Sequence, residues 1–299
     1  MIPTSQITNL CPACASTAWK QVFDVVDHSI TKEQFRLFEC DSCTLRITLN
    51  APGVGAIDRY YQSAEYISHS NTNKGVVNFL YQEVRKITLS QKNRLIRSFY
   101  GQGHGSLLDY GSGAGAFVAY MQKKDWKVVG VEPAANARQI AKDQFGIELM
   151  SLPAFNALEA AQFDVITLWH VLEHVHALNE TVQQLRVLLK PDGRIYIAVP
   201  NYTSMDAAYF GPCWAAYDVP RHLYHFSPPA MRQLMSRNQL KVYSIKPMWF
   251  DSFYVSMLST QYQAGKVNYF NSVWQGIRST IRTIQDPERA SSLIYEIGY

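Results

Sequence analysis

The segment Leu107-Leu108-Asp109-Tyr110-Gly111-Ser112-Gly113-Ala114-Gly115-Ala116-Phe117 constrains this chain more than any other. Two apolar residues run into an acid, three glycines alternate, and apolar residues resume at helical spacing. The pattern predicts a buried strand turning sharply into a helix, because glycine accepts the left-handed backbone such a turn needs. Such a turn brings backbone N–H groups and a helix N-terminus close to a ligand. A second strand is expected at Val128-Val129-Gly130-Val131, ending in Glu132. An acid there, about 20 residues past the glycine turn, is placed to grip a ribose diol.

The β–α alternation continues downstream. Helices are expected from Ala114 to about Lys124 and from Ala134. A weak third strand falls around Glu148–Met150 and a fourth at Phe163–Trp169. A helix over Asn179–Leu189 is expected to stop at a Lys190-Pro191-Asp192-Gly193 turn, before a fifth strand at Arg194–Val199. Ser227-Pro228 reads as an N-cap with proline at the first helical position, and Lys241–Ile245 reads as the sixth strand. Upstream, a long amphipathic segment covers about Lys74 to Tyr100. The loop Tyr66-Ile67-Ser68-His69 is placed to cover a ligand.

Four of the five cysteines form two C-x-x-C pairs, Cys11 with Cys14 and Cys40 with Cys43. The residues between the pairs are strand formers. Four thiolates in paired spacing on a β-rich ribbon suit tetrahedral zinc, with no open position left for a water. Disulfides do not suit a reducing compartment, and a redox C-x-x-C needs no second pair. Cys213 stands alone and reads as a packed small residue.

With 299 residues, the chain accommodates one large domain and a small appendage. The N-terminus has no basic region followed by an apolar core, and no apolar run is long enough to span a bilayer. A cytoplasmic setting with no membrane partner is therefore the expectation. The net charge of +4 is mild, and no basic, aromatic-interleaved run marks a nucleic-acid surface.

The acid-x-G-x-G-x-G turn from Asp109 to Gly115, with Glu132 at the end of the next strand, resembles the class I S-adenosylmethionine (SAM) methyltransferases. The resemblance implies a Rossmann-like seven-stranded sheet whose last strand, here Ser292–Ile297, slots antiparallel between the fifth and sixth. It makes residues 1–50 a zinc ribbon, 51–104 a helical linker or cap, and 105–299 the SAM-binding domain. Residues 250–290 are then a helical insertion before the last strand, serving as a lid or as the surface of a homodimer. Ribbon and sheet together resemble bacterial sugar C-methyltransferases. The resemblance implies a small-molecule acceptor, such as a sugar or glycan precursor, and SAM contacts from Asp109, Gly111, Gly113, Gly115, Glu132, Trp169 and His170.

Two further clusters fall at strand ends, where open α/β sheets bind ligands. Trp169-His170-Val171-Leu172-Glu173-His174 follows the fourth strand, and a helix would place His170, Glu173 and His174 on one face. The string His-x-x-Glu-His is also that of inverted zinc peptidases, but the buried strand before it and the glycine turn fit the methyltransferase plan. The segment also resembles the Glu-x-x-Glu-His of ubiquinone-type O-methyltransferases, which are associated with a divalent metal. Here His170 replaces the first acid. The second cluster, Tyr217-Asp218-Val219-Pro220-Arg221-His222-Leu223-Tyr224-His225-Phe226, reads as a substrate-binding segment. His170, His222 and His225 are the candidate general bases, since an imidazole removes a proton near neutral pH. Two rival functions are an RNA methyltransferase that uses the ribbon to hold RNA and a non-catalytic SAM- or zinc-binding interaction protein.

Overall fold

The computed structural model describes residues 10–61, 76–101, 104–249 and 251–299, with side chains from Lys86 onward in the helix that begins at Val76. The Tyr66–His69 loop lies outside the described residues. The chain divides into two compact units. One comprises Met1–Gln62, Trp169–Arg186 and Tyr196–Tyr299; the other comprises Ser63–Leu168 and Val187–Ile195.

The first unit opens with three antiparallel strands, β1 (Trp19–Val26), β2 (Gln34–Cys40) and β3 (Arg46–Leu49). A short strand from much later in the chain, β8 (Tyr224–His225), pairs with β3 and completes a four-stranded sheet. The two cysteine knuckles share one backbone design. Ala15 N–H donates to Cys11 O at 2.7 Å and Thr44 N–H donates to Cys40 O at 2.9 Å, and both Ala15 and Thr44 have positive φ. Phe35, Leu37 and Tyr60 pack with Trp214 and Tyr217 in one apolar cluster.

The second unit contains α1 (Val76–Tyr100), β4 (Ser106–Tyr110), α2 (Ala116–Gln122), β5 (Lys127–Val131), α3 (Ala135–Phe145), α4 (Leu152–Phe155) and most of β6 (Phe163–Trp169). β4 pairs in parallel with β5 and β6, and Leu107, Leu108, Val165 and Ile166 are fully buried at their centre. Chain alternation of β and α explains the parallel pairing, since each helix carries the chain back to the start of the next strand.

After α5 (Leu178–Leu188), the strand β7 (Leu189–Pro200) passes from the second unit into the first. The first unit then adds α6 (Met205–Phe210), α7 (Pro228–Arg237), β9 (Lys241–Pro247), α8 (Asp251–Ala264), α9 (Tyr269–Gln285) and β10 (Ser292–Gly298). The large sheet has the order β5-β4-β6-β7-β10-β9. The terminal strand lies between β7 and β9 and pairs antiparallel with β9, as expected for Ser292–Ile297.

Two expectations need correction. The sheet has six strands among the described residues, not seven. The weak strand at Glu148–Met150 reduces to one bridge between Met150 and Val131, because extended Ser151 leads directly into α4, with a proline in its first turn, and the chain leaves the sheet. Nor is Lys190–Gly193 a turn. The Lys190 ammonium pairs with Asp164 on β6 at 2.9 Å, and the segment joins β7.

One glycine fixes the packing of α2 on the sheet. A Cβ at Gly130 would stand 2.4 Å from Leu149 Cδ2 and 2.8 Å from Val118 Cγ2. Gly130→Ala is expected to lower stability by about 1–3 kcal/mol through overpacking, read as a lower urea midpoint with an unchanged m-value.

Candidate functional site

At the carboxyl ends of β4 and β5, Gly111, Gly113 and Gly115 all have positive φ, at 80°, 53° and 78°. Side chains rarely adopt this conformation, which explains the three alternating glycines. Gly111 and Ser112 N–H both donate to Val131 O, tying the turn to the next strand. Open space surrounds the Cβ position of Gly113, so a ligand can approach the backbone there.

Glu132 closes this turn. One carboxylate oxygen accepts from Gly113 N–H and the other from Ala134 N–H, each at 2.9 Å. These bonds orient a buried acid and leave lone pairs for hydroxyl donors, since each carboxylate oxygen can accept more than one bond. Asp109 lies beneath the turn, nearly fully buried. Burial pushes its carboxyl up to about 6, against the Thr167 hydroxyl, which donates at 2.7 Å, and the Lys92 charge. Asp109 thus braces β4 against β6. Trp169 ends β6 and is half-buried.

His170 comes next in the chain, in the other unit. It adopts the left-handed region at φ 57°, and a short 3-10 turn over Leu172–His174 follows it. The helix expected to align His170, Glu173 and His174 is therefore absent, yet the turn still gathers their side chains. His170 Nδ1 lies 3.4 Å from Glu173 and Nε2 lies 3.1 Å from Asp251 at the start of α8. Burial lowers the affinity of this imidazole for its proton, but the Asp251 and Glu173 hydrogen bonds and charges overcome burial and raise it to about 10.

Glu173 is almost fully buried, and beyond that ion pair no described residue donates a hydrogen bond to its carboxylate. Burial pushes its carboxyl up, but the His170 hydrogen bond and nearby histidine charges hold it below the usual range. His174 and His222 stand beside it, their rings 4.6 Å apart. His174 Nδ1 is 3.0 Å from Arg221 O, and His222 Nδ1 is 2.9 Å from Ala216 O. These carbonyls orient both rings so that one donor atom from each of Glu173, His174 and His222 falls within 4.8 Å of the others. A carboxylate and two backbone-oriented imidazoles could hold a divalent cation. Burial and the His222 charge lower His174 to about 4.

The structure brings His222 into this cluster but leaves His225 elsewhere. His225 is buried in β8, its Nε2 lies 3.0 Å from Thr48 Oγ1, and it holds the ribbon sheet to this loop. Burial and neighbouring positive charge push it well below its ordinary value. The rest of the loop is anchored by Arg221, a fully buried cation paired with Asp27 at 3.0 Å and Asp218 at 2.6 Å.

The four ribbon thiols form a separate group. Cys11 and Cys43 Sγ lie 3.5 Å apart, as do those of Cys14 and Cys40, and all four lie within 4.8 Å. Tetrahedral zinc with Zn–S bonds near 2.3 Å sets sulfurs about 3.8 Å apart, so the thiols fit that ion.

Sequence reasoning did not identify Asp251. One signal marks it: it is the only carboxylate between Lys241 and Gln285, in an otherwise aromatic and aliphatic stretch.

A family model described as a methyltransferase domain matches residues 81–245. A ubiquinone biosynthesis O-methyltransferase of Nitrosococcus oceani is 29% identical over 195 residues, 58% of this chain and 80% of that protein. Another from Histophilus somni is 34% identical over 108 residues, 32% of this chain. The chain spans 45% of that relative's length. A SAM-dependent methyltransferase structure from Archaeoglobus fulgidus aligns with a TM-score of 0.50 at 16% identity, over 74% of this chain and 99% of the other. That likeness concerns the fold alone.

The His170 ion pairs have a pH signature. A histidine raised in the folded state stabilises fully below its ordinary value of 6.5, and the contribution is lost as pH rises through about 10. His170→Asn, which tolerates the left-handed backbone, should be less stable than the parent at pH 6, with the gap closing towards pH 10. Thermal melts across that range check this, and a gap independent of pH would contradict it.

Proposed function

Because the chain belongs to the methyltransferase-domain family, whose model covers more than half of its residues, we propose that it moves the SAM methyl group onto a small molecule, with a sugar or glycan precursor as the acceptor class. The observation that carries this reading is the Glu132 carboxylate, fixed by Gly113 and Ala134 N–H groups at the mouth of the glycine turn. Bound SAM would supply a methyl on a sulfonium, a good leaving group. Glu132 accepts from the ribose hydroxyls, and the open backbone at Gly113 admits the rest of the cofactor. Asp109 supports this end of the site. Four cysteines hold zinc as a structural ion. The sequence resemblance of the four-cysteine ribbon and glycine turn to sugar C-methyltransferases supports the sugar class.

His170 is our candidate for removing the acceptor's proton. Held near 10 by Asp251 and Glu173, its neutral form is a strong base, and the rate follows the fraction of that form. His222 orients beside Glu173 and His174, and His225 serves as a buried strut.

Methyl-labelled SAM incubated with the protein and extracted metabolites, followed by mass identification, tests the reading. A labelled sugar or glycan precursor is expected, and no transfer to any metabolite would overturn it. An acceptor from ubiquinone biosynthesis, the process named for the relatives, would replace the sugar class in the same readout. Glu132→Ala is expected to weaken S-adenosylhomocysteine binding by about tenfold to a hundredfold in calorimetry, the cost of hydrogen bonds to a charged group. For the base, log kcat/KM should rise with pH towards 10 in the parent. Asp251→Asn should move that rise to lower pH, because it removes a charge that raises His170. An unmoved profile would exclude His170 as the base.

A further inference from the structure

Helix α9 is amphipathic in the inverse sense. The face it turns to the protein carries Ser272, Gln275, Gly276, Ser279 and Thr283, all buried. Small and polar residues there permit close approach. A Cβ on Gly276 would stand 2.5 Å from the Phe253 ring of α8, Ser272 bonds Thr260 at 3.0 Å, and the Ser279 hydroxyl reaches Asp206 at 3.4 Å. The buried positions of the helix therefore include none of its large apolar side chains.

Those side chains point outward. Phe270, Val273, Trp274, Ile277, Ile281 and Ile284 recur at three- and four-residue intervals and form one stripe. Phe270 is 85% exposed, Trp274 53% and Ile284 68%. A contiguous apolar stripe of this kind marks an interaction surface. Charge identifies the occupant. Residues 252–285 carry Lys266, Arg278 and Arg282 and no carboxylate, and all three cations are exposed. Arg278 and Arg282 lie on the same flank of the stripe, one turn apart. A two-fold antiparallel pairing of this face with a second copy would set these cations against each other. An anionic surface pairs with them instead.

We propose that the outer face of α9 seats the protein on an anionic phospholipid bilayer. The helix lies in the interfacial plane, with its Trp, Phe and Ile side chains among the acyl chains and its arginines at the headgroups. Seventeen residues span about 25 Å along the helix axis. This is a surface contact and not a crossing, consistent with the finding that no described helix is long and apolar enough to cross a membrane. The expectation of no membrane partner rested on the lack of a spanning segment, which does not bear on a surface contact. The proposal stands apart from the methyl-transfer reading, because vesicle binding needs no SAM.

Cosedimentation with phosphatidylcholine vesicles, and with vesicles that also contain phosphatidylglycerol, tests it. The parent protein should bind the phosphatidylglycerol vesicles, less so at high salt, with a blue shift of tryptophan emission. Trp274→Glu with Ile277→Glu should abolish binding. Arg278→Gln with Arg282→Gln should retain the apolar face but bind phosphatidylglycerol vesicles about thirtyfold more weakly. An unchanged circular dichroism spectrum and cooperative thermal melt would report that each variant is folded. If the double glutamate variant fails to fold, the arginine pair still decides the question. Absence of binding by the parent at low salt would overturn the proposal. So would light scattering that shows a dimer split by the glutamate variant while vesicles remain unbound.

Discussion

The Glu132 carboxylate is the contact on which the architecture of the glycine turn depends. It links three pieces of chain: the end of β5, the glycine turn after β4 and the entry to α3. The bond to Ala134 satisfies the N-cap N–H of α3, where such donors otherwise lack partners, and the bond to Gly113 fixes the turn itself. The geometry is possible only because the three turn glycines hold positive φ and Gly130 lets α2 settle against the sheet. Sequence and backbone geometry therefore meet at one acid.

A second buried charge organises the other unit. Arg221 lies between Asp27 of the ribbon and Asp218 of its own loop, and its remaining donor reaches Tyr60 O at 2.9 Å. Removing Arg221 would leave the buried Asp27 carboxylate without its cation, which is strongly destabilising. This ion triad holds the ribbon to the loop that bears His222, and β8 extends the ribbon sheet with residues from that same loop. The ribbon is thus built into the unit that carries His170, Glu173 and Asp251.

Much of this was legible in the sequence, where a local rule governs the outcome. The glycine turn, the Glu132 position, the terminal strand and the cysteine knuckles each follow from backbone or ligand chemistry over a few residues. Readings failed where distant contacts decide. Glu148–Met150 has strand-like residues but no room for a ladder once α4 starts. Lys190–Gly193 has turn residues, yet the Asp164 charge draws it onto the sheet. His222 and His225 look equivalent by type and spacing. Tertiary packing separates them, sending one to Glu173 and the other to Thr48. Asp251 is 81 residues from His170, so its ion pair was beyond any local pattern. The inverted face of α9 follows from burial, because periodicity alone finds an apolar stripe without saying which way it points.

The most direct measurement is a crystal structure with S-adenosylhomocysteine bound. The account predicts both ribose hydroxyls within hydrogen-bond distance of the Glu132 carboxylate, with the ligand against the backbone of Gly111–Gly115. A ribose held by other residues, or a ligand bound away from the glycine turn, would contradict it.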